Sequence, residues 1–227
     1  MGKVKFILPL FVILFLFTVS SAFAHHKEMV LGDSIEPADI VFSEDITYGP
    51  GFFLPDSPLY TLDLIWQKFR LAVSFSPEAK AKLNAKIAGE RLAELRLMLA
   101  KNNSSAIVTV LAQMEKDAES ASQELSNSSA AGSNVEGAAR ELNEALKIQR
   151  RVLVSLANQS GSDLSLKFQA TRKSLLKSKL EIEDELPADL LANEMKEELE
   201  NETKENLEES EKLSNKAQAN LDVLNNN

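Results

Sequence analysis

The chain has 227 residues, 44% of them hydrophobic, with no cysteine and a net charge of −9. That length suits one domain, or one domain with an appendage, and the missing cysteine excludes disulfides and any lipid anchor attached through that side chain. The charge is uneven: residues 181–227 hold fifteen acidic and four basic side chains, while residues 25–180 balance at nineteen of each. A neutral body with an acidic end argues against nucleic acid, which wants a basic face.

The first residues read as an export signal. Lys3 and Lys5 precede an unbroken apolar run from Phe6 to Phe17, and Ala22 and Ala24 fit the small-x-small pattern of a signal peptidase. Cleavage is expected after Ala24, which makes residues 1–24 a signal peptide and His25 the mature N-terminus. The alternative is an uncleaved anchor, since Phe6 to Ala24 is almost long enough to span a bilayer. Either way the protein is expected outside the cytoplasmic membrane: in a periplasm, on the cell surface or secreted. Residues 25–51 carry Gly32, Pro37, Gly49, Pro50 and Gly51 without helical periodicity, and read as a flexible acidic tether.

Helical signals begin at Ser57-Pro58, a capping side chain followed by a residue that tolerates the first helical position. Leu62, Ile65, Trp66, Phe69 and Val73 then recur at steps of three and four, so a first helix is expected to bury that stripe. Ser76-Pro77-Glu78 repeats the start signal, and a second helix runs to about Lys101 through Leu83, Ile87, Leu92 and Leu95. After Asn102–Ser105 a third helix carries Ile107, Leu111 and Met114 as far as the polar loop 127–133. A fourth holds Leu142, Leu146, Val152 and Leu153, and ends near Asn158–Gly161. A fifth starts at about Ser162, carrying Leu164, Phe168, Leu175 and Leu180 among several lysines.

Short loops between long helices favour antiparallel neighbours. The fold class expected is all-α: an antiparallel bundle of five to six long helices, with the bundle domain over 52–186. The core should include Leu62, Trp66, Phe69, Leu83, Leu92, Leu111, Leu146, Leu153 and Phe168. Beyond Pro187, residues 187–227 form a sparse apolar stripe among acids, expected as a helical arm only loosely joined to the body. Such an arm suits docking to a basic partner, and Lys173 and Lys177 of the fifth helix are candidates.

Leu54-Pro55-Asp56-Ser57-Pro58-Leu59-Tyr60, the Trp66 helix, Phe75-Ser76-Pro77-Glu78 and Ala88-Gly89-Glu90-Arg91-Leu92-Ala93-Glu94 form a series. Together they resemble the exported prokaryotic family catalogued as domain of unknown function 5667. In that family a P-x-S-P-x-Y stretch opens a first helix, and an S-P-E helix follows that bears A-x-x-R-L-x-E. The resemblance is specific over residues 52–100 and rests on helix pattern beyond. Asp63 departs from it, standing where a basic residue is expected. The resemblance implies an extracytoplasmic helical domain and brings no activity with it.

The motif residues Pro55, Ser57, Pro58, Tyr60, Trp66, Pro77, Ala88, Arg91 and Glu94 are read as chiefly structural. The alternative is a peptide-binding edge made by Tyr60, Trp66 and the proline turn. Arg91 and Glu94, at i and i+3, can pair on their helix. His25 and His26 are two ligands on a tail, and the run Glu181–Glu185 lacks the spacing of a calcium loop. No glycine-rich phosphate loop, zinc motif or nucleophile elbow occurs, and no histidine follows His26. No catalytic, cofactor or metal site is therefore expected, and the chain is read as a non-enzyme. Asn102, Asn103, Asn127 and Asn158 head glycosylation sequons near helix ends, and Asn201 heads one in the arm. The function expected is a non-catalytic module for protein binding or envelope scaffolding, the alternative being a periplasmic stress chaperone or sensor of the helical-hairpin type. Its partner is expected to be a protein, with the membrane touched only through an uncleaved signal segment.

Overall fold

The computed structural model describes residues 48–200 together with Thr203, Lys204 and Leu207, and every regular element among them is helical. The signal peptide, its cleavage point, most of the tether, and Asn201 lie outside the described residues. Five long helices come first: α1 Tyr60–Ala72, α2 Pro77–Ala100, α3 Ser104–Ala130, α4 Glu136–Gln159 and α5 Ser162–Glu183. Residues 188–200 form a sixth helix, α6, after the break at Pro187.

The helix ends follow local chemistry. Ser76 caps α2 by accepting the Ala79 N–H at 3.1 Å, with Pro77 in the first turn, and Asn103 caps α3 through Ala106 in the same way. Helix α2 closes on Asn102, which takes the left-handed conformation at φ 50°, while Asn103 N–H reaches back to Met98. Gly132 does the same after α3 at φ 83°, with Ser133 N–H on Ser128. Helices α4 and α5 start without a side-chain cap, and α1 begins two residues later than its serine-proline signal predicts. Ser57 Oγ accepts the Leu59 N–H at 3.2 Å within a turn, and the helix takes over at Tyr60 with no side-chain cap.

The core is a ring of four helices in the order α2, α3, α5, α4, each packed closely on its two neighbours. Consecutive helices run antiparallel, as Lys80 on Glu124 and Arg91 on Asp117 show for α2 and α3. The loop from α3 to α4 crosses the ring, so α3 and α5 become neighbours running the same way. Glu115 meets Thr171, and Ser122 meets Glu181, in step along both helices. Helices α2 and α4 are the other such pair. One cluster of buried Leu, Ile, Val, Met and Ala fills the ring, with Leu95, Leu153, Leu156, Phe168 and Leu175 fully enclosed. Leu83, Leu92, Leu111, Leu146, Leu153 and Phe168 are buried as the sequence predicts.

Three expected core residues are not buried. Leu62, Trp66 and Phe69 are each more than half exposed, at 53, 57 and 54%. Helix α1 lies outside the ring against α2 and turns its polar side inward: its buried residues are Tyr60, Asp63 and Gln67. Their spacing of three and four makes one helical face, and hydrogen bonds rather than apolar packing hold it down.

The acidic helix α6 is also placed differently from expectation. Among the described residues its carboxylates meet Lys147 and Arg150 of α4 and Lys179 of α5, not Lys173 or Lys177; the rest of the expected arm, 201–227, lies outside the described residues apart from Thr203, Lys204 and Leu207. Glu197 lies 2.7 Å from Lys147, Glu194 lies 3.3 Å from it, and Glu198 reaches Arg150 at 2.5 Å and Lys179 at 3.5 Å. These bases are almost enclosed, Lys179 at 1% side-chain exposure and Arg150 at 7%. An uncompensated cation is costly there, and α6 supplies the counter-charge.

Candidate functional site

Two features stand out once the ring is assembled: a buried charge cluster under α1 and an open recess between α2 and α4. The cluster centres on Arg91, which is wholly buried on α2. Its NH1 donates to both carboxylate oxygens of Glu94 at 2.9 Å, its Nε donates to Asp117 of α3 at 2.9 Å, and its NH2 donates to Gln67 of α1. One planar fork thereby ties three helices, a geometry that lysine's point charge cannot reproduce.

The other members complete the network. Tyr60 Oη donates to Glu94 at 2.9 Å, and its ring lies 5.8 Å from the Arg91 guanidinium. Gln67 donates to Asp63 at 3.3 Å and to Glu90 at 3.1 Å. Gln113 secures Asp117 at 2.6 Å. A methyl group at Gly51 would fall on the carboxylates of Asp63 and Glu94, so only glycine lets the incoming chain pass this close.

Burial sets the electrostatics. It pushes the Glu94 carboxyl above the usual range, although Arg91, Tyr60 and the Gly51 N–H all favour the charged form. Burial likewise drives the Tyr60 phenol far up, with Glu94 adding to the effect, so this hydroxyl stays a donor. Arg91 is held charged: burial works against it, but Asp117 and Glu94 outweigh that.

The motif residues thus converge on one task. Tyr60, Arg91 and Glu94 form a latch between α1 and α2. The stretch before Tyr60 is tied to the far end of α2 by Asp56 on Lys101 at 2.7 Å, while Leu54 packs against the core. Pro55 and Ser57 are half-buried in that turn, and Pro58 is exposed. Pro77 starts α2, and the Ala88 carbonyl accepts from Gln149 of α4 at 3.1 Å. Trp66 stands apart from this group on the outer face of α1, stacked on Phe69 with ring centres 5.5 Å apart. Sequence reading places Gln149 on the inner stripe of the fourth helix but misses Asp117 and Gln67; for Gln67 the available signal is the polar face of α1 opposite its apolar stripe.

The recess between α2 and α4 has a volume of about 510 Å³. Ala85, Ala88, Gly89, Leu92, Ala145 and Ile148 floor it, with Arg140, Glu141 and Glu144 along the α4 side. Tyr48 lies in it, its ring against Gly89 so closely that a Cβ there would collide. Glu181 of the acidic run is bonded to Ser122 at 2.7 Å, and Glu183 pairs with the buried Lys179. Of the sequon residues, Asn127 and Asn158 are exposed in the last turns of α3 and α4, and Asn102 and Asn103 are half-buried at the α2–α3 junction.

Together these define a helical-bundle protein with a laterally docked first helix and a salt-bridged acidic helix. The chain belongs to the family described as Domain of unknown function (DUF5667), which it matches over residues 53–226. The match runs past the specific motifs of residues 52–100 and takes in α6. No curated protein and no solved structure matches the chain.

Proposed function

We propose that this protein is a non-catalytic helical module working outside the cytoplasmic membrane, where it binds a protein partner or scaffolds the envelope. The recess between α2 and α4 carries this reading. It is open, floored by alanine and glycine, edged by charge, and already holds an aromatic side chain from the chain's own non-helical Tyr48 segment. A partner segment bearing an apolar or aromatic side chain would find the same complement. The buried cluster supports a structural rather than chemical role, because Arg91, Glu94, Tyr60 and Gln67 bond one another. The leader pattern of Lys3, Lys5 and Phe6–Ala24 supports export.

A photo-crosslinking residue at Ala85, in protein expressed in its own envelope, tests the proposal. A discrete cross-linked species, absent when the residue is placed at exposed Val108 on α3, is the expected result. Equal labelling at both positions would defeat it. Intact mass of the exported protein tests the leader, with His25 expected as the first residue. A second reading, a stress chaperone or sensor of the helical-hairpin type, is favoured by the exposed apolar residues of α1. It requires that the purified protein suppress aggregation of an unfolded client.

A further inference from the structure

We infer that the outer face of α1 is an interfacial membrane-docking surface that prefers anionic lipid. The latch of Tyr60, Asp63 and Gln67 fixes the rotation of the helix, and that rotation forces Leu62, Ile65, Trp66 and Phe69 outward. Phe52 and Phe75, on the segments flanking α1, are 88 and 93% exposed and extend the same apolar character past both ends. Exposing this much aromatic surface on a charged protein is unusual unless something covers it.

Charge decides the occupant. The single acid of α1, Asp63, is turned into the cluster, so the charges the helix keeps outside are Lys68, exposed, and Arg70, half-buried. An apolar face with a stacked tryptophan and flanking bases matches the boundary between headgroups and acyl chains of an anionic bilayer. Lysine and arginine stems can lie along the apolar layer while their heads reach phosphate. A second copy fits less well, because a two-fold contact through this face would bring Lys68 and Arg70 toward their own images. The rest of the molecule agrees. Helix α1 packs on α2, with Gln67 on the same Arg91 that bonds Asp117 of α3, whereas acidic α6 pairs with α4 and α5 across the ring, so docking by α1 turns the repelled acidic surface away from lipid. This surface is separate from the recess, so neither proposal stands or falls with the other.

Trp66 is the sole tryptophan of the chain, so its fluorescence reports this face alone. The test uses the chain begun at His25, which removes the leader run, titrated with vesicles of phosphatidylcholine alone and of phosphatidylcholine with phosphatidylglycerol. Expected are a blue shift of Trp66 emission with the anionic vesicles, co-flotation of the protein, and weakening by salt. The double variant I65E/F69E should lose at least about tenfold in partition coefficient, while its melting temperature stays near that of the parent because both side chains are exposed. K68E/R70E should lose the preference for anionic vesicles. Three results would overturn the inference: unshifted Trp66 emission with anionic vesicles, a concentration-dependent shift without lipid that accompanies dimerisation in sedimentation, or a shift produced only by a protein partner.

Discussion

Arg91 makes its bonds where water cannot replace them. Removing one member of a buried, hydrogen-bonded pair leaves the other uncompensated, which costs about 3–5 kcal/mol. Arg91→Met should therefore lower stability by that order in urea unfolding, and Arg91→Lys should recover only part because it cannot reach Glu94, Asp117 and Gln67 together. Tyr60→Phe should cost about 1 kcal/mol, the net worth of one hydrogen bond, because Glu94 keeps Arg91 and the Gly51 N–H. The pairing of Arg91 with Glu94 was legible from their i, i+3 spacing. Their burial was not, since spacing along one helix says nothing of what lies on top of it. Glu94 also fixes a sign. Its folded pKa is raised, so the native state binds the proton more tightly, and ionisation of Glu94 subtracts stability above its unfolded value. That cost is relieved as pH falls through the raised folded value. Glu94 thus opposes acid unfolding of the body.

At the scale of elements, periodicity located five helices but assigned the wrong face to one of them. For α2 to α5 the apolar stripe is the buried stripe, because each meets two neighbours in the ring; the departure is Leu180 near the end of α5, which is 51% exposed. Helix α1 leans on α2 from outside, and a polar face bonded to Arg91 and Glu90 holds it there with its apolar face outward. The two kinds of helix should answer substitution differently. Leu92→Ala or Leu153→Ala should cost about 2–5 kcal/mol, whereas Phe69→Ala should change stability by less than about 0.5 kcal/mol, as is typical of surface positions. Parallel thermal or denaturant melts of the three variants give the answer. Helix α6 responds to pH instead. Although burial works against it, the Glu198 carboxyl is lowered below its ordinary value of 4.5 by its hydrogen bond to Arg150 and by the charges of Arg150 and Lys179. The stabilisation is present above the unfolded value and is lost as pH falls through the folded one. Lys147 is raised despite burial, through Glu197, Glu144 and Glu194, so its share persists below its ordinary value of 10.5 and is lost as pH rises through the folded value. Protection of the amides of residues 188–200, taken as the exchange rate relative to the intrinsic rate at the same pH, should accordingly be highest between about pH 5 and pH 10 and fall on either side.

For the whole molecule, the question is whether the acidic C-terminal stretch is an appendage or part of the bundle. The sequence suggested an appendage. Pro187 interrupts the helix, the apolar stripe thins, and like charges recur at i, i+4, as with Glu198 and Glu202. What could not be read was that the ring would enclose Lys147, Arg150 and Lys179 along the α4–α5 edge, because their burial depends on the α3–α4 connection crossing the ring. Lys147 retains Glu144, and Lys179 retains Glu183, if α6 is removed, but Arg150 loses Glu198 and all three bases lose part of their compensation. A chain ending at Leu186 should therefore melt lower than one ending at Asn227. A loss of 2 kcal/mol would correspond to roughly 4–8 °C for a protein of this size. Charge and packing can be separated in the full chain. The triple variant E194Q/E197Q/E198Q keeps α6 and its Leu190 contact with the core but removes the carboxylates facing the three bases. If the ion pairs are what bind α6, that variant should reproduce most of the truncation's loss, and 0.5 M salt should narrow the gap between parent and variant only in part, because Glu194 and Glu198 are sheltered from solvent while Glu197 is 45% exposed. A truncated chain that melts with the parent would instead make α6 a detachable arm, and the enclosed bases would then have to be neutralised from within the ring.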